Sequence, residues 1–277
     1  MLIPRFWARA EGTATGRHGQ RLALRLWGWS QDSVAETLAL AKRRLAELST
    51  RLSAAAPGDP YLYGSRQPLR EEIIRYLGAD GRGQSVVTRN RYGALVLNTA
   101  QVPFIDVDAV APAGWQGLKQ LFGRAPAADP TLERIRAACG RHPRQAFRVY
   151  RTHSGYRVLA INTYLDPASE DTTAFLNGFG ADPAFVTLCR LQGSFRGRLT
   201  PKPWRCGVPA PPGQHPRDPD GQAEFGGWLL KYETASRGYA TCSFVEAIGS
   251  APPDTDVRAI VDEHDRVTRA TEKLPLA

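Results

Sequence analysis

The chain has 277 residues, 42% of them hydrophobic and 23% charged, a composition that supports one large core or two modest domains and leaves no need for disulfide staples. Its four cysteines, Cys139, Cys189, Cys206 and Cys242, lie far apart with no CxxC pair, which argues against a secreted disulfide scaffold and for a reducing, cytoplasmic setting. Lys+Arg 36 against Asp+Glu 27 gives a net charge of +9 and a pI near 9.7, so polyanions are favoured partners. MLIPRFWARAEG has no apolar run of the secretory kind, and no stretch approaches the roughly 18 apolar residues that span a bilayer, so no membrane partner is expected.

In chain order, residues 20–29, QRLALRLWGW, alternate as a strand does. Ser33 and Glu36 follow at capping-box spacing, and Val34, Leu38, Ala41, Leu45, Leu48 and Leu52 recur at helical intervals, predicting a helix of about 20 residues that AAAPGDP ends. Pro68 and LREEIIRYLGADG predict a short helix stopped by glycine. SVVTRN and GALVLNT, with a turn near Arg91 to Gly93, predict a hairpin, and VPFIDVD a third strand. LERIRAACGRH reads as a helix, FRVYRT and YRVLAINT as strands joined by His153-Ser154-Gly155, and ASEDTTAFLNGFG as another helix. GVPAPPGQHPRDPDG is a surface loop, and EFGGWLLKYE, YATCSFVEAIG and VRAIVDEHDRVTRA close the chain as helix, strand and helix. The mixture predicts an α+β fold with a largely antiparallel sheet and flanking helices rather than a doubly wound parallel sheet. Residues 1–80 are expected to form a strand and helical region packed on an α+β core of residues 81–277, or one continuous domain with it.

Two windows hold no acid. One runs from Glu133 to Asp166 and contains Arg134, Arg136, Arg141, Arg144, Arg148, Arg151 and Arg157; the other, from Pro183 to Arg217, contains Arg190, Arg196, Arg198, Lys202, Arg205 and Arg217. Such one-sign segments predict a basic groove for nucleic acid, with Arg148, Arg151, Arg198 and Arg205 as contacts and Trp204, flanked by Lys202 and Arg205, as a base-stacking platform.

The period of two in VPFIDVD puts Asp106 and Asp108 on one face, about 7 Å apart. Like charges so placed call for a divalent cation, and such a pair suits phosphoryl transfer; the competing reading is that the acids cap the strand end in water or pair with arginines. Ser154 and the backbone around Gly155 have the makings of a phosphate cradle, as do Arg190, Gly193, Ser194, Arg196 and Lys202. Cys139 and His142, with Cys206 and His215, have ligand spacing without a second tight pair, so zinc is the minority reading. GADGRGQ lacks the ending of a P-loop, and no nucleophile elbow is present.

A hydrophobic strand ending in Asp106-x-Asp108, then a Thr152-x-Ser154-Gly155-x-Arg157 hairpin, then Arg190-Leu-x-Gly193-Ser194 with Lys202 beyond, resembles the archaeo-eukaryotic primase superfamily in its primase-polymerase branch. The likeness spans residues 100–205. It implies a primase-polymerase or RRM-like core, Mg or Mn at Asp106 and Asp108, and a third catalytic acid, Asp166 or after it Asp182. It also implies Ser154, Gly155 and Arg157 in the nucleotide-binding turn, phosphate contacts from Arg190 and Lys202, and nucleoside triphosphates and nucleic acid as partners in DNA replication or repair. The chain departs from the pattern in having Arg157 where the family has histidine, with His153 on the other side of the turn. Three functions follow in order: a metal-dependent nucleotidyl transferase, a catalytically inactive primase-like domain that binds nucleic acid or nucleotide, and a basic protein-interaction scaffold.

Overall fold

The computed structural model describes residues 1–16, 19–54, 68–78, 85–109, 129–253 and 255–277. Residues 55–60, in the segment expected to end the first helix, and 79–84 of GADGRGQ lie outside this set.

The chain opens with an antiparallel hairpin of β1 (Phe6–Thr15) and β2 (Arg21–Ser30) in register from Phe6↔Ser30 to Thr15↔Arg21. α1 (Val34–Ala54) lies across it. The helix comes so close that a Cβ at Gly28 would stand 2.1 Å from the Thr37 carbonyl oxygen. Half of the expected capping box forms: Ser33 Oγ accepts from the Glu36 N–H at 3.2 Å, while the Glu36 carboxylate accepts from Ser30 Oγ at 2.6 Å.

An antiparallel sheet follows, ordered β3-β4-β5-β9, from β3 (Glu72–Leu77), β4 (Ser85–Arg89), β5 (Leu95–Thr99) and β9 (Phe195–Arg198). β3 corrects the helix expected over 69–81, of which 69–78 are described. A short helix gains little in isolation, whereas EIIRYL, with two adjacent β-branched residues, pairs along β4 with one bulge between Ile73 and Arg75. Glu71, just before the strand, is buried and accepts from Thr88 Oγ1 at 2.6 Å and Arg196 at 2.7 Å. Because β3 is a strand of this sheet, residues 72–77 belong with the core and not with the preceding hairpin.

The second antiparallel sheet is ordered β10-β7-β8-β6, from β6 (Phe104–Asp108), β7 (Phe147–Thr152), β8 (Gly155–Ala160) and β10 (Cys242–Ile248). The remaining helices are α2 (Pro130–Gly140), α3 (Glu170–Gly178), α4 (Pro183–Gln192), α5 (Pro219–Ser236) and α6 (Thr255–Thr268), with a 3-10 turn at Pro203–Cys206. The sequence reading left α4 and β9 unassigned, although Asp182 capping the Ala184 N–H with Pro183 behind it is an ordinary helix start.

Strand alternation sends Ile105, Val107 and Val158 to one face, in a core shared with Ile135, Leu176 and Phe185. The other face carries Phe104, Asp106, Arg157 and Tyr150. There the Phe104 and Tyr150 rings meet the imidazole of His264 on α6. The protein is α+β with antiparallel sheets, and among the described residues no helix is long and apolar enough to cross a membrane.

Candidate functional site

β6 pairs with β8 so that Asp106 stands opposite Arg157 and Asp108 opposite Gly155. The strands are so close that a Cβ at position 155 would lie 2.1 Å from the Val107 carbonyl oxygen, which explains the glycine. Arg157, 3% exposed, forms a fork with Asp106: Nε to Oδ1 at 2.8 Å and Nη2 to Oδ2 at 3.2 Å. Its Nη1 donates to the Arg198 carbonyl at 2.8 Å. Burial works against the charge of Arg157, but Asp106 beside it outweighs this and raises the pKa above the arginine norm. Asp106 is therefore the counter-ion of a buried arginine. Asp108 is exposed and has no ion pair among the described residues.

Behind Arg157 runs a buried polar chain. Cys242 Sγ is 4.0 Å from His264 Nε2, His264 Nδ1 is 3.1 Å from Asp265 Oδ1, and Asp265 Oδ2 accepts from Arg148 at 2.6 Å. The Cys-His-Asp order suggests a nucleophile, but burial pushes the Cys242 thiol up to about 11 and holds His264 below its ordinary pKa. Both side chains are wholly buried. A protonated thiol without access to solvent is packing, not chemistry. The sequence carried a signal for this chain: His264 continues the buried stripe Val257, Ile260, Val261 and Thr268 of α6.

Near Arg157, Arg198 at the end of β9, Lys202 and Arg205 gather beside the β7–β8 turn into a basic cluster. Arg205 Nη2 donates to Ser154 Oγ at 3.0 Å, and Ser154 Oγ lies 3.1 Å from His153 Nδ1. Arg198 is partly buried, has no carboxylate within ion-pair distance among the described residues, and keeps a buried Nη1 without a hydrogen-bond partner. Burial, followed by repulsion from Arg157 and Arg205, lowers its pKa to about 10. Burial, followed by Arg198 and Arg205, lowers Lys202, with Tyr92 and Asp108 opposing them; burial lowers Arg205. His153 is lowered by burial and by Arg205, Arg198 and Lys202. Trp204, half exposed, holds Lys202 Nζ 5.5 Å from its ring centre and meets Tyr92 edge-on at 5.4 Å.

The fold thus gathers Asp106, Asp108, Ser154, Gly155, Arg157, Arg198, Lys202, Trp204 and Arg205, and adds His153 and Tyr92, which the site reading had left out. Tyr92 sits in a turn far away in sequence, and nothing in its own segment marks it. Other candidates go elsewhere. Arg190 pairs with Glu170 at 3.0 Å and Arg196 with Glu71 at 2.7 Å. Ser194 is fully buried. Arg148 is bound to Asp265, and Arg151 to Asp129 at 2.8 Å.

Neither candidate for a third acid offers its carboxylate to the pair. Asp166 Oδ1 accepts from the Ala168 N–H, and the Asp182 carboxylate caps α4, although its backbone N–H donates to the Asp106 carbonyl at 3.1 Å. Asp106 and Asp108 remain the side chains that could hold Mg or Mn, with both Asp106 oxygens already engaged. Among the described residues no three His, Cys, Asp or Glu side chains converge as a metal site, for zinc or otherwise. Four of the seven arginines of the first window, Arg136, Arg148, Arg151 and Arg157, are ion-paired. The cations of the cluster, Arg198, Lys202 and Arg205, come from the second, and none of them has an ion pair among the described residues. Comparison with protein-family models, curated proteins and solved structures gives no match, so the chain's own geometry carries the functional argument.

Proposed function

We propose that the protein binds a phosphate-bearing ligand, a nucleic acid or a nucleotide, at the cluster of Arg198, Lys202 and Arg205, as a primase-like domain whose Asp106 serves the fold and not catalysis. The observation that carries this is Arg198: a partly buried guanidinium with a buried, unsatisfied N–H, beside other cations and without a carboxylate partner among the described residues. Such a group raises the free energy of the empty protein. An anion that accepts from Arg198, Lys202 and Arg205 relieves the repulsion and the missing hydrogen bond together. Ser154 and His153 supply further polar contacts beside the cluster.

The test is fluorescence anisotropy with a labelled oligonucleotide, and calorimetry with ATP, at low salt. Lys202→Ala is expected to weaken binding across sequences and to reduce the salt slope by roughly 1, the signature of one lost phosphate contact. Asp108→Ala is expected to retain or tighten binding. Binding that does not respond to salt or to Lys202 would remove the basis of the reading.

A second reading is metal-dependent nucleotidyl transfer, favoured by one observation: Asp108 is exposed, has no ion pair among the described residues and lies on the same strand face as Asp106, next to the cations. Mg or Mn held by the two carboxylates would neutralise triphosphate oxygens there, which requires Arg157 to release Asp106. Template-directed nucleotide incorporation that is lost in Asp108→Ala supports it. Absence of incorporation by a folded, ligand-binding protein in Mg and Mn leaves the first reading alone.

A further inference from the structure

A second cleft, outside the segment that carries the primase resemblance, is lined by Arg70, Arg91, Gln214, His215 and Arg217, with Arg89 and Glu72 alongside. Its one carboxylate, Glu72, lies 3.7 Å from Arg89, which also reaches Glu233 at 3.6 Å. Arg70, Arg91 and Arg217 have no ion-pair partner among the described residues. Each is instead laid on an aromatic ring. Arg70 lies 4.4 Å from the centre of Trp27, Arg91 4.7 Å from Tyr92 and Arg217 3.4 Å from Phe225. Stacking fixes a guanidinium plane while leaving its edge donors free, which is the presentation that recognises phosphate in a forked manner. Only part of the donor set is used: Arg70 donates to Gln214 Oε1 at 2.8 Å, Arg217 Nε to the Pro212 carbonyl at 3.3 Å, and Arg91 to Tyr92 Oη. Burial acts against the charge of Arg70, Arg217 and His215, with Glu72 opposing it at Arg217 and His215.

The two basic sites are joined. Arg91 lines the cleft, and the next residue, Tyr92, touches Trp204, whose ring neighbours Lys202 of the cluster. A half-exposed aromatic surface therefore stands between two groups of cations. A mononucleotide uses one group. A flexible polynucleotide uses both, with an unpaired base on the rings between, because stacking accepts any base face. The enclosed part of the cleft is only about 10 Å3, room for little more than one water, so it does not engulf a nucleoside; its guanidinium groups meet a phosphodiester at the surface.

We infer that the cleft of Arg70, Arg91, His215 and Arg217 is a second phosphate site, and that it and the cluster grip two phosphates of one single-stranded nucleic acid crossing Trp204 and Tyr92. This rests on the reading of the cluster as a phosphate site. The experiment compares wild type, Arg70→Gln/Arg91→Gln, and Lys202→Ala by anisotropy with a labelled single strand of about a dozen nucleotides, with the matching duplex, and by calorimetry with ATP. Exposed Arg91→Glu alone serves if the double variant does not fold.

The cleft variant is expected to lose affinity for the single strand by about tenfold and to lower the salt slope by roughly 0.7 for each phosphate released, while ATP binding stays at the wild-type level. Lys202→Ala is expected to weaken both ligands. Single-strand binding unchanged in the cleft variant but reduced in Lys202→Ala overturns the second site and leaves the cluster standing. Duplex bound as tightly as single strand overturns the single-strand assignment. No binding of strand or ATP by the wild type overturns both.

Discussion

Residues 134–157 and 190–217 are equally free of acids in the sequence, yet the fold treats them differently. The first window runs through α2, β7 and β8, whose side chains face Glu246 on β10, Asp265 on α6, Asp129 before α2 and Asp106 on β6; each acid takes up one arginine. The second window runs through α4, β9 and the 3-10 turn. Glu170 and Glu71 take Arg190 and Arg196, and Arg198, Lys202, Arg205 and Arg217 are left without a carboxylate at ion-pair distance among the described residues. A local charge count does not report pairing, because the acids that neutralise the first window come from as far as 117 residues away in the chain. A run of arginine marks a ligand site only where the fold fails to supply carboxylates.

The sharpest way to break this comparison is to treat Arg157 as if it belonged to the second group. If Asp106 and Arg157 form a structural pair, Asp106→Leu leaves a buried cation without its counter-ion and should cost roughly 3–5 kcal/mol, read by urea unfolding. The double variant Asp106→Leu/Arg157→Leu should recover most of that loss, since it removes the buried cation together with its part-exposed counter-ion. If Asp106 were instead one of two repelling metal ligands, its single substitution would leave stability unchanged or improved. The coupling between the two positions is what separates these outcomes.

A smaller effect of opposite sign is expected in the second window. Arg198→Met removes an unsatisfied buried N–H and a source of repulsion, so the thermal midpoint should hold or rise while oligonucleotide affinity falls by about tenfold, the size of one good phosphate contact. A drop in both would mean that Arg198 supports the fold as the first-window arginines do.

Much of this architecture was legible in the sequence, and the gaps have physical causes. Period two in VPFIDVD, the Ser-Gly turn of β7–β8, and the apolar stripes of α1 and α6 are local signals, and they hold in the structure. β3 was misread because Pro68 and the terminal glycine look like helix punctuation, while what decides the state of EIIRYL is β4, which no local window contains. The site was legible to the extent that its residues are clustered: Ser154, Arg157, Lys202, Trp204 and Arg205 come from two short segments. Tyr92 and the whole second cleft were not, since Arg70, Arg91 and Arg217 belong to three separate segments. The sharing of arginines between Asp106, Asp129, Asp265 and the basic cluster is a property of the folded surface, not of any one stretch of chain.

The gentlest probe is pH, which should move the two regions in opposite directions. His264 contacts Cys242, Asp265, Phe104 and Tyr150 near Arg157, and burial, with the Asp265 hydrogen bond opposing it, holds its folded pKa below the ordinary 6.5. Above about 6.5 neither folded nor unfolded chain binds this proton. As pH falls below that, the unfolded chain takes it up first and stability declines until the folded pKa is passed. Asp265, itself held below the ordinary carboxylate value despite burial because His264, Tyr150 and Arg148 stabilise its charge, extends the decline into acid, its contribution being lost as pH falls below about 3.8. Urea unfolding between about pH 7.5 and 5.5 should show the upper part of this loss, and His264→Gln should flatten it. His153 is also lowered, but by burial and by the cations of the cluster. A bound phosphate offsets those cations and raises the pKa of His153, so ligand binding takes up a proton and tightens over the same pH range in which folding weakens. Oligonucleotide affinity that falls along with stability, or an unchanged pH profile in His153→Gln, would show that the cluster is not the place where the anion sits.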